Sequence, residues 1–131
     1  PGLTMVAQQS GEFDRNKALE VMESIMQAQS DIDAVFCGND AMALGAYQAI
    51  LSAGKAGKIK VFGFDGASDC LDAIAEGKIA ATVMQFPVLM AQTSAVFADE
   101  YIKGRRGFTN KTPVEVVLVT RENVSQFLTK K

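Results

Sequence analysis

Ala34-Val35-Phe36-Cys37-Gly38-Asn39-Asp40-Ala41-Met42-Ala43-Leu44-Gly45-Ala46 is the stretch on which the fold class turns. Residues 34–37 are apolar without polar alternation, the pattern of a strand buried on both faces. Asp40 then stands where a cap is needed for a helix over 41–53. That helix stops at Gly54, a residue type that tolerates the left-handed turn past a helix end.

The same strand–turn–helix rhythm extends in both directions. Toward the N-terminus, residues 3–7 read as a strand. Asp14 is a fair N-cap for a helix to about Ala28, with Ala18, Val21, Met22 and Ile25 on its inner face. Toward the C-terminus, 59–64 predicts a third strand and Ser68 caps a short helix ending at Glu76-Gly77. A fourth strand follows over 79–84. Pro87 opens a longer helix through Lys103, closed by Gly104. A polar loop over 105–112 leads to a last strand at 114–119 and a short helix started by Thr120. Apolar strands separated by helices imply right-handed crossovers. The expected class is α/β, an open, mostly parallel sheet with helices on both faces.

Composition narrows the function. The chain has 131 residues, 48% hydrophobic, enough for one domain with a core, and a formal net charge of −2. Its 13 basic and 15 acidic residues leave no basic footprint for nucleic acid. No apolar run is long enough to span a bilayer and none reads as a signal peptide. The opening on Pro1, with a strand almost at once, raises the expectation of a processed secreted protein or a piece of a longer one. There is no histidine, and the two cysteines, Cys37 and Cys70, are far apart in sequence. Neither a zinc site nor a Ser–His or Cys–His catalytic arrangement is expected, and the cysteines read as separate, buried, reduced thiols. Gly63 and Gly66 fit no phosphate-binding glycine motif, and no cofactor is expected. Arg105-Arg106 and Lys130-Lys131 read as small solvated charge groups.

In open parallel sheets ligands bind beyond the carboxyl ends of the strands. Those ends carry Gln8 and Gln9 followed by Phe13, then Asn39 and Asp40, then Asp65 and Gly66, then Gln85. Amides donate and accept hydrogen bonds and carboxylates accept them, a set that matches vicinal hydroxyl groups; Phe13 offers a flat apolar face to a sugar ring. Each residue also has a plainer reading. Asp40 fits a helix cap better than a ligand group, Asn39 a strand end, Asp65-Gly66 a turn, Gln85 a loop and Phe13 a core position.

Four segments in order carry a resemblance: Glu12-Phe13-Asp14-Arg15, the stretch from Ala34 to Ala46, Val61-Phe62-Gly63-Phe64-Asp65-Gly66, and Ala81-Thr82-Val83-Met84-Gln85-Phe86-Pro87. The chain resembles the periplasmic ribose-binding protein family, the solute receptors of bacterial sugar ABC importers. The resemblance implies that Phe13 stacks on a sugar ring and that Asn39, Asp65 and Gln85 hydrogen-bond its hydroxyls. It also implies a periplasmic or extracytoplasmic location, a monosaccharide ligand, an ABC permease as partner with a chemoreceptor as a further candidate, and no catalysis.

Members of that family have two lobes. The resemblance places 1–85 in the C-terminal sugar-binding lobe, 86–115 in a hinge crossing and a segment that packs on the N-terminal lobe, and 116–131 in a return strand and tail. The N-terminal lobe and an upstream part of the second lobe are expected to be missing. Val88, Ala91, Ala95, Ala98 and Ile102 form an apolar stripe on the 87–103 helix. Without its partner lobe that helix is expected to be disordered, to fold onto this lobe, or to pair with a second copy.

Two rivals remain at this level. The effector core of a LacI-type repressor shares the Asn-Asp and Gly-Phe-Asp segments, but commonly carries a second Asp where Gly66 stands and Val-Arg-Gln-Pro where this chain has Val83-Met84-Gln85-Phe86-Pro87. A sugar-modifying enzyme needs an acid–base pair, for which only Asp40 and Asp65 are candidates.

Overall fold

The computed structural model describes residues 2–128; the Lys130-Lys131 pair lies outside them. Helices and strands alternate: α1 Arg15–Ala28, β1 Ala34–Phe36, α2 Asp40–Ser52, β2 Lys60–Asp65, α3 Ser68–Ala75, β3 Ala81–Met84, α4 Pro87–Ile102 and β4 Val117–Thr120, then a 3-10 turn at Val124–Gln126. The sheet runs β1-β2-β3-β4. β1 to β2 and β2 to β3 are parallel; β4 returns antiparallel, with Val117 beside Met84 and Thr120 beside Ala81. The open, mostly parallel α/β sheet expected from the sequence is present.

Local departures have local causes. Residues 3–7 have strand composition but form no strand, and among the described residues their backbone makes no hydrogen bond to β1. A strand exists only with a neighbour to bond. Here a groove of about 430 Å3 separates the segment from β1, lined by Met5, Val6, Val21, Met22, Val35 and Met42. Asp40 does not cap α2; Asn39 does, accepting from the Met42 N–H at 2.8 Å. Ser68 is likewise the first helical residue, not the cap: Ala67 holds that position and makes no side-chain bond there. The last strand starts at Val117, later than 114, because only from there does the chain run beside β3. Thr120 does not lead directly into a helix. It opens a turn in which its N–H donates to Asn123 Oδ1, and the 3-10 turn follows.

Asp14 caps α1 as expected, accepting from the Lys17 N–H at 2.8 Å. α1 then lies directly on α2. A Cβ at Gly45 would sit 2.0 Å from the Arg15 carbonyl oxygen, so only glycine permits this approach.

Side chains alternate across the sheet, and register sorts them into two faces. Val35, Val61, Gly63, Thr82 and Val119 share the face toward α2, as Ala43 and Asp40 of α2 meet the space at Gly63. There Ile50, Ile74, Ile79, Val61 and Val119 are buried, together with Cys37 and Cys70, which are unpaired thiols. Burial pushes the Cys37 thiol up to about 11. Burial first, then the Asp40 carboxylate, raises Cys70 further. The opposite face carries Phe36, Phe62, Phe64, Val83 and Leu118. Phe36 is 68% exposed and Leu118 58%.

α4 is a regular helix begun by Pro87, yet none of its residues is buried. Val88, Leu89, Met90, Val96, Tyr101 and Ile102 all stand open. Its ring contacts come from its own loop: Phe108 lies 5.5 Å from Phe97, and Arg106 lies over Tyr101 at 4.4 Å. The helix is neither unfolded nor buried on this lobe.

Candidate functional site

The carboxyl ends of β1, β2 and β3 lie side by side, which places the residues just after them on one edge. Two pairs form there. In the first, Glu12 and Phe13 both take left-handed backbone angles (φ 52° and 55°), a sharp reversal just before Asp14 caps α1. The reversal leaves Phe13 71% exposed. Its ring edge would lie 3.6 Å from a Cβ at Gly38, which sets it over the turn that follows β1. Asn39 Nδ2 donates to the Phe13 carbonyl at 3.3 Å while its Oδ1 holds the end of α2. Asn39 therefore ties the aromatic loop to the strand end and keeps one amide hydrogen free of these bonds.

The second pair is Asp65 and Gln85. Gln85 Nε2 donates to Asp65 Oδ1 at 2.8 Å, and the Gln85 N–H donates to the Asp65 carbonyl at 3.0 Å. Asp65 has φ 125°, a conformation rare for a residue with a side chain. Strain of this kind persists only where surrounding bonds hold it, and it clusters at functional sites. The exposed Asp65 carboxylate keeps an oxygen beyond its bond to Gln85.

Gln8 and Gln9 do not join these pairs. Both line the groove between the N-terminal segment and β1, and neither side chain hydrogen-bonds to Phe13, Asn39, Asp65 or Gln85. Asp40 is not on the edge at all. It is fully buried beneath it, where Oδ2 accepts from the Gly66 N–H at 2.8 Å and the Ala67 N–H at 2.7 Å, and Oδ1 accepts the Thr82 hydroxyl at 2.6 Å. A Cβ at Gly63 would fall 2.2 Å from Asp40 Oδ1, so that glycine makes room for the carboxylate. Sequence reasoning did not connect Thr82 and Gly63 with Asp40. The available signal was a threonine and a glycine, each at an inward position of an otherwise apolar strand.

Among the described residues no cluster of three or more His, Cys, Asp or Glu side chains is placed to hold a metal ion. The edge chemistry is that of hydrogen-bond donors and acceptors beside one aromatic face. The class so defined is an α/β domain with a polar, strained carboxyl edge.

Comparison with known proteins gives the family. The profile described as "Periplasmic binding protein domain" matches residues 1–106, and the chain belongs to that family. The ribose import binding protein of Bacillus subtilis is 47% identical over 104 residues, 79% of this chain and 33% of that protein. The D-apiose import binding protein of Paraburkholderia graminis is 41% identical over 128 residues, 96% of this chain and 40% of its own length. Among solved structures, an ABC transporter periplasmic solute-binding protein from Actinobacillus succinogenes 130z with bound D-allose superposes with a TM-score of 0.88 at 31% identity, covering 96% of this chain and 44% of that one. A solute-binding protein from Bacillus halodurans C-125 with bound myo-inositol gives 0.84 at 36% identity, covering 96% and 43%. The chain thus spans well under half the length of these relatives.

Proposed function

We propose that this chain is the C-terminal lobe of the solute-binding component of a bacterial sugar ABC importer, and that it receives a monosaccharide, ribose or a related sugar, on the edge formed by Phe13, Asn39, Asp65 and Gln85. One observation carries the reading: an exposed aromatic face and three hydrogen-bonding side chains gather on adjacent strand ends, with Asp65 held in a strained backbone. The relatives support it, being named for ribose and D-apiose import or solved with D-allose and myo-inositol. In this reading residues 1–85 form the sugar-binding lobe, 86–115 the hinge crossing and the segment that packs on the other lobe, and 116–131 the return strand and tail. The uncovered α4 supports that division.

The whole receptor works in the periplasm as a binding protein without catalysis. Its partners are the ABC permease and, where sugar is also sensed, a chemoreceptor. In the 131-residue chain the α4 face pairs with a second copy instead.

Heteronuclear NMR titration with D-ribose tests the site. The expected result is shifts at Gly38, Asn39, Asp65 and Gln85 with an affinity weaker than about 1 mM, because one wall neither encloses the sugar nor excludes water. Phe13→Ala should abolish the response. Micromolar affinity in the isolated monomer would refute the half-cleft reading, and shifts confined to other surfaces would refute the site.

A further inference from the structure

We propose that Asp40 is a positioning residue which, with Thr82, holds Asp65 and Gln85 in the geometry that receives a ligand. What the edge receives rests on the sugar-receptor reading; the positioning itself does not.

A carboxylate with no exposed surface is costly unless its oxygens are hydrogen-bonded. Asp40 takes three hydrogen bonds from the segments that carry the second pair, with the Cys70 thiol of α3 beside it. Its Oδ2 takes the N–H groups of Gly66 and Ala67, the two residues directly after Asp65. Its Oδ1 takes the hydroxyl of Thr82, three residues before Gln85 on the next strand. One side chain on α2 thus fixes the end of β2 and the approach to the end of β3.

The arrangement is specific to this end of the sheet. The cap of α2 is supplied by Asn39, so Asp40 is not its capping residue. Gly63 leaves the space in which the carboxylate reaches the strands. The residue next to the clamped turn, Asp65, is the one held at φ 125°. Charge-assisted bonds to the following two amides keep the chain in that turn, which aims the Asp65 carboxylate at Gln85 Nε2. Thr82 and Asp65 therefore answer to the same buried charge from neighbouring strands.

Three variants of the full 131-residue chain test this: Asp40→Asn, Thr82→Val and Thr82→Ser. Urea unfolding gives each one's stability, and NMR follows hydrogen exchange of the Gln85 side-chain amide and of the Gly66 and Ala67 N–H groups. Thr82→Ser keeps the hydroxyl and should behave as the unmodified chain. Thr82→Val and Asp40→Asn should speed exchange at Gln85 about tenfold, the consequence of one weakened hydrogen bond. The Asn39 side-chain amide, which belongs to the other pair, should be unchanged. In a D-ribose titration the same two variants should lose about tenfold in apparent affinity.

Unchanged Gln85 exchange in Thr82→Val overturns the proposal, as does acceleration spread evenly over the sheet in proportion to lost stability. If Asp40→Asn fails to fold, the Thr82→Val and Thr82→Ser pair decides alone. If the unmodified chain shows no response to D-ribose, the sugar reading fails, while exchange at Gln85 still decides the role of Asp40.

Discussion

The two faces of the sheet are built from similar residues and have different fates. On the α2 side, Ile50, Val61, Ile74, Ile79 and Val119 are sealed, and even a carboxylate and a hydroxyl are fully partnered. On the other side, Phe36 and Leu118 stand more exposed than covered; α4, likewise, runs sixteen residues without burying one. Hydrophobicity alone does not separate them. The difference is whether a second layer is present within the chain, since apolar surface stabilises a fold only when it is taken out of water.

That contrast sets a graded series of expectations. Ile74→Ala, at a position with no exposed surface, should cost about 2–5 kcal/mol in urea unfolding, through lost transfer energy and the cavity left behind. A small cost there would mean that the sealed face is looser than its burial implies. Gly45→Ala should come next. The added methyl meets the Arg15 carbonyl at 2.0 Å and must push α1 off α2, at about 1–3 kcal/mol.

A pH series sharpens the same side. The folded state raises Cys37 from 9.0 to about 11 and raises Cys70 more, so the native chain holds thiol protons that the unfolded chain releases. Their contribution is complete below pH 9 and is lost as pH climbs toward 11 and beyond. Unfolding midpoints should therefore fall over that alkaline window. In native chain at pH 8, thiol-reactive dye should label both cysteines only as fast as the fold opens. A flat alkaline profile with fast native labelling would place the thiols outside the sealed layer.

The smallest effect belongs to the open side. Leu118→Ala and Phe36→Ser should each change stability by no more than about 0.5 kcal/mol in dilute chain. If either rivals Ile74→Ala, that face is covered in solution, and sedimentation at several concentrations will show by what.

Much of this was legible in the sequence, and the exceptions share a cause. Apolar runs and caps marked β1, β2, β3 and the four helices because those signals are local. Phe13, Asn39, Asp65 and Gln85 were readable as strand-end residues, and the structure places Phe13 with Asn39 and Asp65 with Gln85. The residues at 3–7 look like a strand, and only the absence of a bonded neighbour stops them from being one. Asp40 looks like a cap because it stands where the helical pattern begins. Its three partners lie 26, 27 and 42 residues away, beyond the reach of any local pattern. The antiparallel return of β4 beside β3 is a long-range pairing, which composition does not encode.

The outer edge of β1 has a consequence for handling. Its residues, Ala34, Val35 and Phe36, include no lysine, no proline and no inward charge, the devices that normally keep sheet borders from joining one another. Beside it lies the groove of about 430 Å3 that parts it from the N-terminal segment. Such a border is an unguarded template, the expected place for a second chain to pair in concentrated solution. Phe36→Lys should therefore leave the chain monomeric, by sedimentation, at concentrations where the unmodified chain associates, without touching its sealed side.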